Sequence, residues 1–402
     1  MLWKLKKIWY RIYQNVFRVA MYFIEWKDPQ VLDGAGSCLK IPSLVKSKGL
    51  ERVLVVTDKG LMGLHLLDPM LKQFENDGVK YFIYDGVQPN PTITNVEECL
   101  KVYKDNDCQG VVAFGGGSPM DCAKAAAARV VRPNKQIRQM TGILKVNKKL
   151  PPFVAVPTTA GTGSETTLAA VITDDETHIK YPINDPKLRP RYAVLDASLT
   201  VGLPPHVTST TGMDALTHAV EAYIGHCNTA KTRLKAETAV NLIFNNLEKV
   251  YADGKDIEAR ENMLKASFYA GEAFTRAFVG YVHAVAHCLG GKYGVPHGLA
   301  NAVILPYVLE FYGDTIHKSL ARLCDKAQLG FEGSDAEKAA EFIRQVKRMN
   351  KAMNIPDKFD VIKEEDISSI AKIALKEANP TYPVPKLMNQ QECEALVRSL
   401  MA

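Results

Sequence analysis

"GVVAFGGGSPMDCAKAAAARV", residues 110–130, reads as a strand that enters a glycine turn and leaves it as a helix. Val111, Val112, Ala113 and Phe114 form an unbroken apolar run, the pattern of a strand covered on both faces. Gly115, Gly116 and Gly117 follow, and residues 120–130 are an alanine-rich helical segment. Without Cβ atoms, such a turn lets the backbone approach a phosphate while the N-terminal amides of the next helix point at it. Ser118 adds a hydroxyl. The turn is neither G-x-G-x-x-G nor a Walker sequence, and a plain strand-to-helix connection would share its composition.

The same alternation extends on both sides. "RVLVVTD" (52–58) and "KYFIYDG" (80–86) read as strands, with helical segments over 61–76 and 94–106 after them. "PFVAVPTTAGTGSE" (152–165) repeats the step from strand to glycine turn. Apolar strands separated by helices predict a mostly parallel, doubly wound sheet with helices on both faces. Beyond residue 205 the strand signal fades and helical periods continue to the end. A chain of 402 residues exceeds what one core fills, since single cores stop growing near roughly 250–300 residues. The expected organisation is an N-terminal extension over 1–27, an α/β domain over 28–204 and an all-α domain over 205–402.

The helical half holds the imidazoles. "YVHAVAHCLGGKYGVPHGLANAV" (281–303) carries His283, His287 and His297, and "TSTTGMDALTHAVEAYIG" (208–225) carries Asp214 and His218 on a segment that reads as helix from Gly212. His at i and i+4 share one helix face, and neutral imidazole is a common metal ligand. One such stretch alone would equally describe satisfied core histidines. Two i,i+4 pairs with His297 can close around one divalent ion. A carboxylate with imidazoles and no thiolate suits Fe2+, Zn2+, Mn2+ or Co2+. In the α/β half, Asp58 ends a strand, where it can bond a ribose 2′-hydroxyl or cap the next helix.

Composition narrows the classes. At 47% hydrophobic and 23% charged residues, the chain is ordinary globular material without low-complexity tracts. The formal charge of +6 is interspersed over most of the length, and no zinc-finger spacing or RNA-binding aromatic motif accompanies it, so nucleic acid is not an expected partner. Eight scattered cysteines never form C-x-x-C, and no cleavable signal sequence is evident, which implies reduced thiols and a cytoplasmic location. In "MLWKLKKIWYRIYQNVFRVAMYFIEW" (1–26), Leu5, Ile8, Trp9, Ile12, Tyr13, Val16, Phe17 and Ala20 recur at a helical period among Lys4, Lys6, Lys7, Arg11 and Arg18. Such a helix can lie on an anionic membrane surface, or pack on its own protein or a second subunit. Packing is the expectation, because buried faces are the usual destination of an apolar stripe.

Six ordered motifs resemble the iron-containing (group III) alcohol dehydrogenases: "VTD" (56–58), "PNPT" (89–92), "GGGSPMDCAK" (115–124), "PTTAGTGSE" (157–165), "GMDALTHAVEAY" (212–223) and "HAVAHCLGGKYGVPHGLANA" (283–302). The resemblance runs from about residue 28 to near the C-terminus. It implies a dehydroquinate synthase-like architecture, with NAD(H) in the cleft between a dinucleotide-binding domain and a metal-bearing helical one. It further implies metal ligation by Asp214, His218, His283 and His297, with Fe2+ expected and Zn2+ or Mn2+ as alternatives. His287 would lie beside the metal as a proton relay. Gly115, Gly116, Gly117 and Ser118 match the pyrophosphate turn, Asp121 stands in the same motif, and Thr158, Thr159 and Thr162 match a loop along the phosphates and nicotinamide. Asp58 matches the ribose position, where its charge disfavours a 2′-phosphate, and Lys180 a cofactor-contacting lysine.

The implied reaction is hydride transfer between nicotinamide and a small aliphatic alcohol or aldehyde, in a homodimer or higher homo-oligomer. Within "GEAFTRAFVGYVH" (271–283), Phe274 matches a residue lining the substrate pocket. Many relatives have Asn where this chain has Arg276 and Gly where it has Phe278. A ring at 278 would shorten the pocket, and Arg276 would meet a polar substrate tail, the cofactor, or a structural carboxylate. The alternatives are a glycerol dehydrogenase-like, zinc-dependent polyol oxidation and a membrane-associated scaffold that has kept the fold.

Overall fold

Val53, Leu54, Val55 and Val56 are all fully buried, which a strand achieves only when both faces of its sheet are covered. In the computed structural model, which describes residues 2–24, 26–177 and 179–402, they form β2 (Arg52–Val56). The chain divides into two units, Glu25–Gly202 and Met1–Ile24 with Leu203–Ala402.

The first unit is the α/β one. Its main sheet comprises β1 (Gln30–Asp33), β2, β3 (Lys80–Tyr84), β4 (Gly110–Gly115), β6 (Phe153–Pro157) and β9 (Tyr192–Leu195), in the order β1-β9-β6-β4-β2-β3. Every pairing in it is parallel. Alternate residues feed two cores. Leu54, Val56, Val111, Ala113 and Phe153 join one, Val53, Val55, Val112, Phe114 and Val154 the other. Helix Gly117–Val131 lies on the first with Ala123 and Ala125–Ala128 buried, their small side chains admitting close approach to the sheet. β5 (Gly142–Ile143), β7 (Ala169–Thr173) and β8 (Lys180–Asn184) form a separate small sheet in the order β5-β8-β7.

Strand order reverses direction at β2, whose neighbours are β3 on one side and β4 on the other. Ligands of open α/β sheets bind outside the carboxyl ends of strands at such a switch point. Val56 of β2 pairs with Ala113 of β4, so Asp58 and Gly115 leave the sheet at the same level.

In the helical unit we label α1 (Leu2–Ala20), α3 (Pro205–Ile224), α4 (Ile257–Ala277), α5 (Tyr281–Tyr293), α6 (His297–Tyr312) and α7 (Ile367–Ala378), with α2 the Gly117–Val131 helix of the first unit. Residues 212–224 of α3 are all buried, Asp214, His218 and Glu221 among them, so this is a central helix that brings charged and polar groups into the core. α3 begins seven residues before Gly212, where the sequence had suggested its start. The intervening hydroxyls read as loop, yet they bond back along the helix: Thr210 Oγ1 donates to the His206 carbonyl and Thr211 Oγ1 to that of Val207, both at 2.7 Å. α5 stops at Gly294, which takes the left-handed conformation (φ +70°), and Pro296 precedes α6.

The N-terminal stripe is only partly covered by the chain itself. Tyr13 and Phe17 are half-buried, but Leu5, Ile8, Trp9, Ile12 and Val16 are exposed, so the chain's own helices do not cover the rest of the stripe. α1 instead docks by its opposite face. Arg11 donates to the carbonyls of Val384 (2.7 Å) and Pro385 (2.8 Å), and buried Gln14 donates to that of Tyr382 (2.7 Å).

Candidate functional site

At the carboxyl end of β4, Gly115 holds φ +149°, and a Cβ there would lie 2.6 Å from Pro119 Cγ. Only glycine permits this turn. The first turn of α2 has no acidic side chain of its own to repel a phosphate at its amides. Gly115 pairs with Pro157 at the end of β6, and the Thr158 amide donates to the Gly115 carbonyl at 3.1 Å. The threonine loop thus lies along the glycine turn: Thr159 and Thr162 come within 3.4 and 3.3 Å of where Cβ atoms on Gly116 and Gly117 would sit. Ser118 Oγ accepts from the Asn90 amide (3.3 Å), and the Asn90 side chain accepts from Lys180 Nζ (2.8 Å). Gly115–Ser118, Thr158, Thr159, Thr162 and Lys180 are therefore assembled in one region.

Asp58 and Asp121 carry structural duties. Asp58 Oδ1 caps the following helix through the Leu61 amide (2.9 Å), the capping role open from sequence. Asp121 accepts from Ser164 Oγ (2.9 Å) and the Val171 amide (3.0 Å), so its carboxylate is spent on the loop. Beside it, fully buried Lys124 donates to the Ser164 and Ala169 carbonyls and to the Ser164 and Thr167 hydroxyls, at 2.7 to 3.0 Å. Burial lowers its pKa to about 8 against the pull of Asp121. Lys124 sits within a quoted motif but was not singled out from the sequence, because its partners lie some 40 residues away.

In the helical unit, Asp214 and His218 project from α3, His283 from α5 and His297 from the first position of α6. One ligand atom from each can be chosen so that all four lie within 4.8 Å of one another. Asp214 Oδ1 is 3.6 Å from His297 Nε2 and 4.0 Å from His283 Nε2. Asp214, His218 and His283 are buried, while the His297 side chain is 41% exposed, leaving the cluster one open side. Burial, reinforced by the surrounding imidazoles, holds His283 well below the usual histidine range, which keeps its lone pair available. A carboxylate and three imidazoles converging in a largely buried site fit a divalent ion.

Residues around the cluster fix these groups. The Glu221 carboxylate accepts from His283 Nδ1 (2.7 Å) and from the amides of Gly280 and Val282 (2.8 Å each), so His283 presents Nε2 to the cluster. Burial pushes Glu221 up to about 7, against those donors. Buried Asn301 donates from Nδ2 to Asp214 Oδ1 (2.6 Å) and lies 3.2 and 3.1 Å from Nε2 of His283 and His297. The sequence reading singled out neither residue. Both had a spacing signal, Glu221 at i+3 from His218 and Asn301 at i+4 from His297.

His287 Nδ1 bonds Glu377 of α7 (2.7 Å), which also accepts from Tyr382 Oη (2.8 Å). Its ring stacks 5.2 Å from that of His297. Phe274 stacks on His218 at 4.1 Å, putting it at the cluster. The other two pocket candidates face α1. The Phe278 ring lies 5.2 Å from Phe17, and Arg276 lines a small cavity with Arg18, Met21, Cys227 and Thr229. Phe278 has φ +66° and ψ 176°, a conformation almost confined to glycine.

Comparisons with known proteins place these observations in context. Residues 29–197 match the family profile described as iron-containing alcohol dehydrogenase, and residues 208–401 that of the C-terminal part of the Fe-containing alcohol dehydrogenase family. The chain is 40% identical over 376 residues to alcohol dehydrogenase 4 of Schizosaccharomyces pombe, covering 92% of this chain and 87% of that one. It is 36% identical to the NAD-dependent methanol dehydrogenase of Bacillus methanolicus, covering 93% and 98% respectively. A crystal structure of a 1,3-propanediol oxidoreductase superposes with a TM-score of 0.90 at 36% identity, covering 94% of this chain and all of that one.

Proposed function

Because the chain belongs to the iron-containing alcohol dehydrogenase family, we propose that it is a metal-dependent, NAD(H)-linked alcohol dehydrogenase or aldehyde reductase acting on small aliphatic substrates. The convergence of Asp214, His218, His283 and His297 carries this reading. When bound, a divalent ion supplies Lewis acidity toward the substrate oxygen, and the nicotinamide gives or takes the hydride. The protein's part is to hold, orient and move protons. Asp214, His218, His283 and His297 hold the ion, taken here as Fe2+ from the family, and Glu221 and Asn301 aim two of them. Phe274 walls the ion's surroundings against water through its stack on His218.

Gly115, Gly116, Gly117 and Ser118 receive the pyrophosphate on bare backbone, Thr158, Thr159 and Thr162 flank it, and Lys180 adds a cation. Asp58 keeps Oδ2 for the ribose hydroxyls while its Oδ1 caps the helix. His287, with Nδ1 engaged by Glu377, offers Nε2 to accept the alcohol proton or return it to the product oxygen. All eight cysteines are buried and unpaired as thiols, which suits a reducing cytoplasm.

The test is anaerobic purification, metal quantification by mass spectrometry, and a screen of short alcohols and aldehydes with NAD(H) and NADP(H). His218→Ala and His283→Ala should lose metal and activity together while still binding NADH. Full stoichiometric metal in either variant would eliminate this ligand set.

A further inference from the structure

Leu5, Ile8, Trp9, Ile12, Val16 and Val19 of the N-terminal segment are each 51–65% exposed, and Phe23 just beyond is 87% exposed. At 3.6 residues per turn the helical members share one arc of roughly 100°, so they form a single apolar stripe along α1. The opposite face is already taken. Gln14 is buried against the 382–385 segment, Arg11 is bonded to its carbonyls, and Phe17 packs on Phe278. The stripe therefore points away from the helices that hold α1.

Charge identifies what it faces. Residues 1–24 contain Lys4, Lys6, Lys7, Arg11 and Arg18 and no Asp or Glu, so they carry +5 of the chain's formal +6. Lys4 and Lys6 are exposed on either flank of the stripe, while Lys7 and Arg18 lie toward the docked face. A second copy docked stripe to stripe would set two such cationic helices side by side with no acid between them. A transmembrane course is also unavailable, since no helix among the described residues is long and apolar enough to cross a bilayer. We propose that α1 seats the protein on an anionic lipid surface. The stripe enters the boundary between headgroups and acyl chains, and the flanking Lys4 and Lys6 meet lipid phosphates. Trp9, apolar in its ring and polar at its indole N–H, sits at that boundary. Because α1 is gripped by its other face, binding needs no unfolding of the helical unit.

The test uses the full-length chain with phosphatidylglycerol-containing vesicles and with pure phosphatidylcholine vesicles, read by flotation and by tryptophan emission. Of the three tryptophans, Trp3 and Trp9 lie on α1 and Trp26 follows just beyond it, so emission reports on the N-terminal end of the chain. The expected result is flotation with the anionic vesicles, reversed by high salt and far weaker with neutral ones, together with a blue shift that Trp9→Phe abolishes. The double variant Ile12→Ser, Val16→Ser changes only exposed side chains. It should retain the wild-type circular dichroism and lose vesicle affinity about tenfold or more. Three outcomes would overturn the proposal: no flotation with anionic vesicles, undiminished binding by the double variant, or a stripe-dependent dimer in sedimentation velocity that ignores vesicles. None of these bears on the dehydrogenase reading, which rests on other residues.

Discussion

Replacing Glu221 by Gln removes one charge and almost no volume, yet it should loosen the metal cluster. Three N–H groups converge on the carboxylate: Gly280 and His283 on Oε2, Val282 on Oε1. A carboxamide offers one oxygen, so one of the two positions must present an NH2 to an N–H. If the oxygen stays where Oε2 was, the buried Val282 amide is stranded. If it turns, the Gly280 amide is stranded and the NH2 donates to His283 Nδ1. That forces the ring proton onto Nε2 and removes the lone pair aimed at the cluster. Either rotamer leaves a buried donor unsatisfied, a cost of about 1–3 kcal/mol. Loss of an outer partner of a ligating histidine typically weakens metal binding about 10- to 100-fold. Chelator competition under anaerobic conditions should show that drop, with thermal unfolding reporting the stability loss and NADH titration unchanged. Wild-type metal affinity in a folded Glu221→Gln protein would refute the orienting role.

Other substitutions probe the rest of the account. Lys124→Met strands the Ser164 and Ala169 carbonyls and should cost about 3 kcal/mol and weaken NADH binding, both measurable by calorimetry. With a folded pKa near 8 and an unfolded value of 10.5, Lys124 leaves the folded state short of a proton between those pH values. Stability of the wild type relative to Lys124→Met should therefore rise with pH through that window, and a flat difference would contradict the assignment. Asp58→Ser keeps the cap but removes the charge, so it should narrow a preference for NADH over NADPH without unfolding the protein; an unchanged coenzyme ratio would clear Asp58 of that role. Phe278→Gly relieves roughly 1–3 kcal/mol of backbone strain while losing the packing on Phe17, so overall stability should move by no more than about 1 kcal/mol. Tryptic cleavage within residues 1–24 should nevertheless accelerate, and unaltered cleavage would mean that Phe278 does not hold α1.

Which features were legible follows from the distance over which each signal acts. The strand at 110–115 and its glycine turn announced themselves because burial on both faces writes a continuous apolar run. Asp214 and His218 were readable because the i,i+4 spacing is local. Glu377, which engages His287 from 90 residues away, and Tyr382, which donates to Glu377, leave no trace in spacing. The helix expected over 61–76 is two helices, Lys59–Gly63 and Asp68–Asp77, because His65 adopts a positive φ of 57° that composition did not betray. The small sheet escaped notice because β8 carries Pro182 and β5 is only two residues long. On α1 the period was correctly helical, but a period cannot say which face a protein covers. Three hydrogen bonds from Arg11 and Gln14 decide it.

The central claim is hydride transfer that depends on the four-residue cluster, and isotope transfer tests it most directly. The metal-loaded protein would be mixed anaerobically with NADH deuterated at the transferable C4 position and a short aliphatic aldehyde, and the alcohol examined by mass spectrometry. The account predicts deuterium on the alcohol's carbinol carbon, abolished by chelation and by His218→Ala while that variant still binds NADH. Undiminished transfer after complete metal removal, or no transfer from the metal-loaded protein to any short aldehyde, would contradict it.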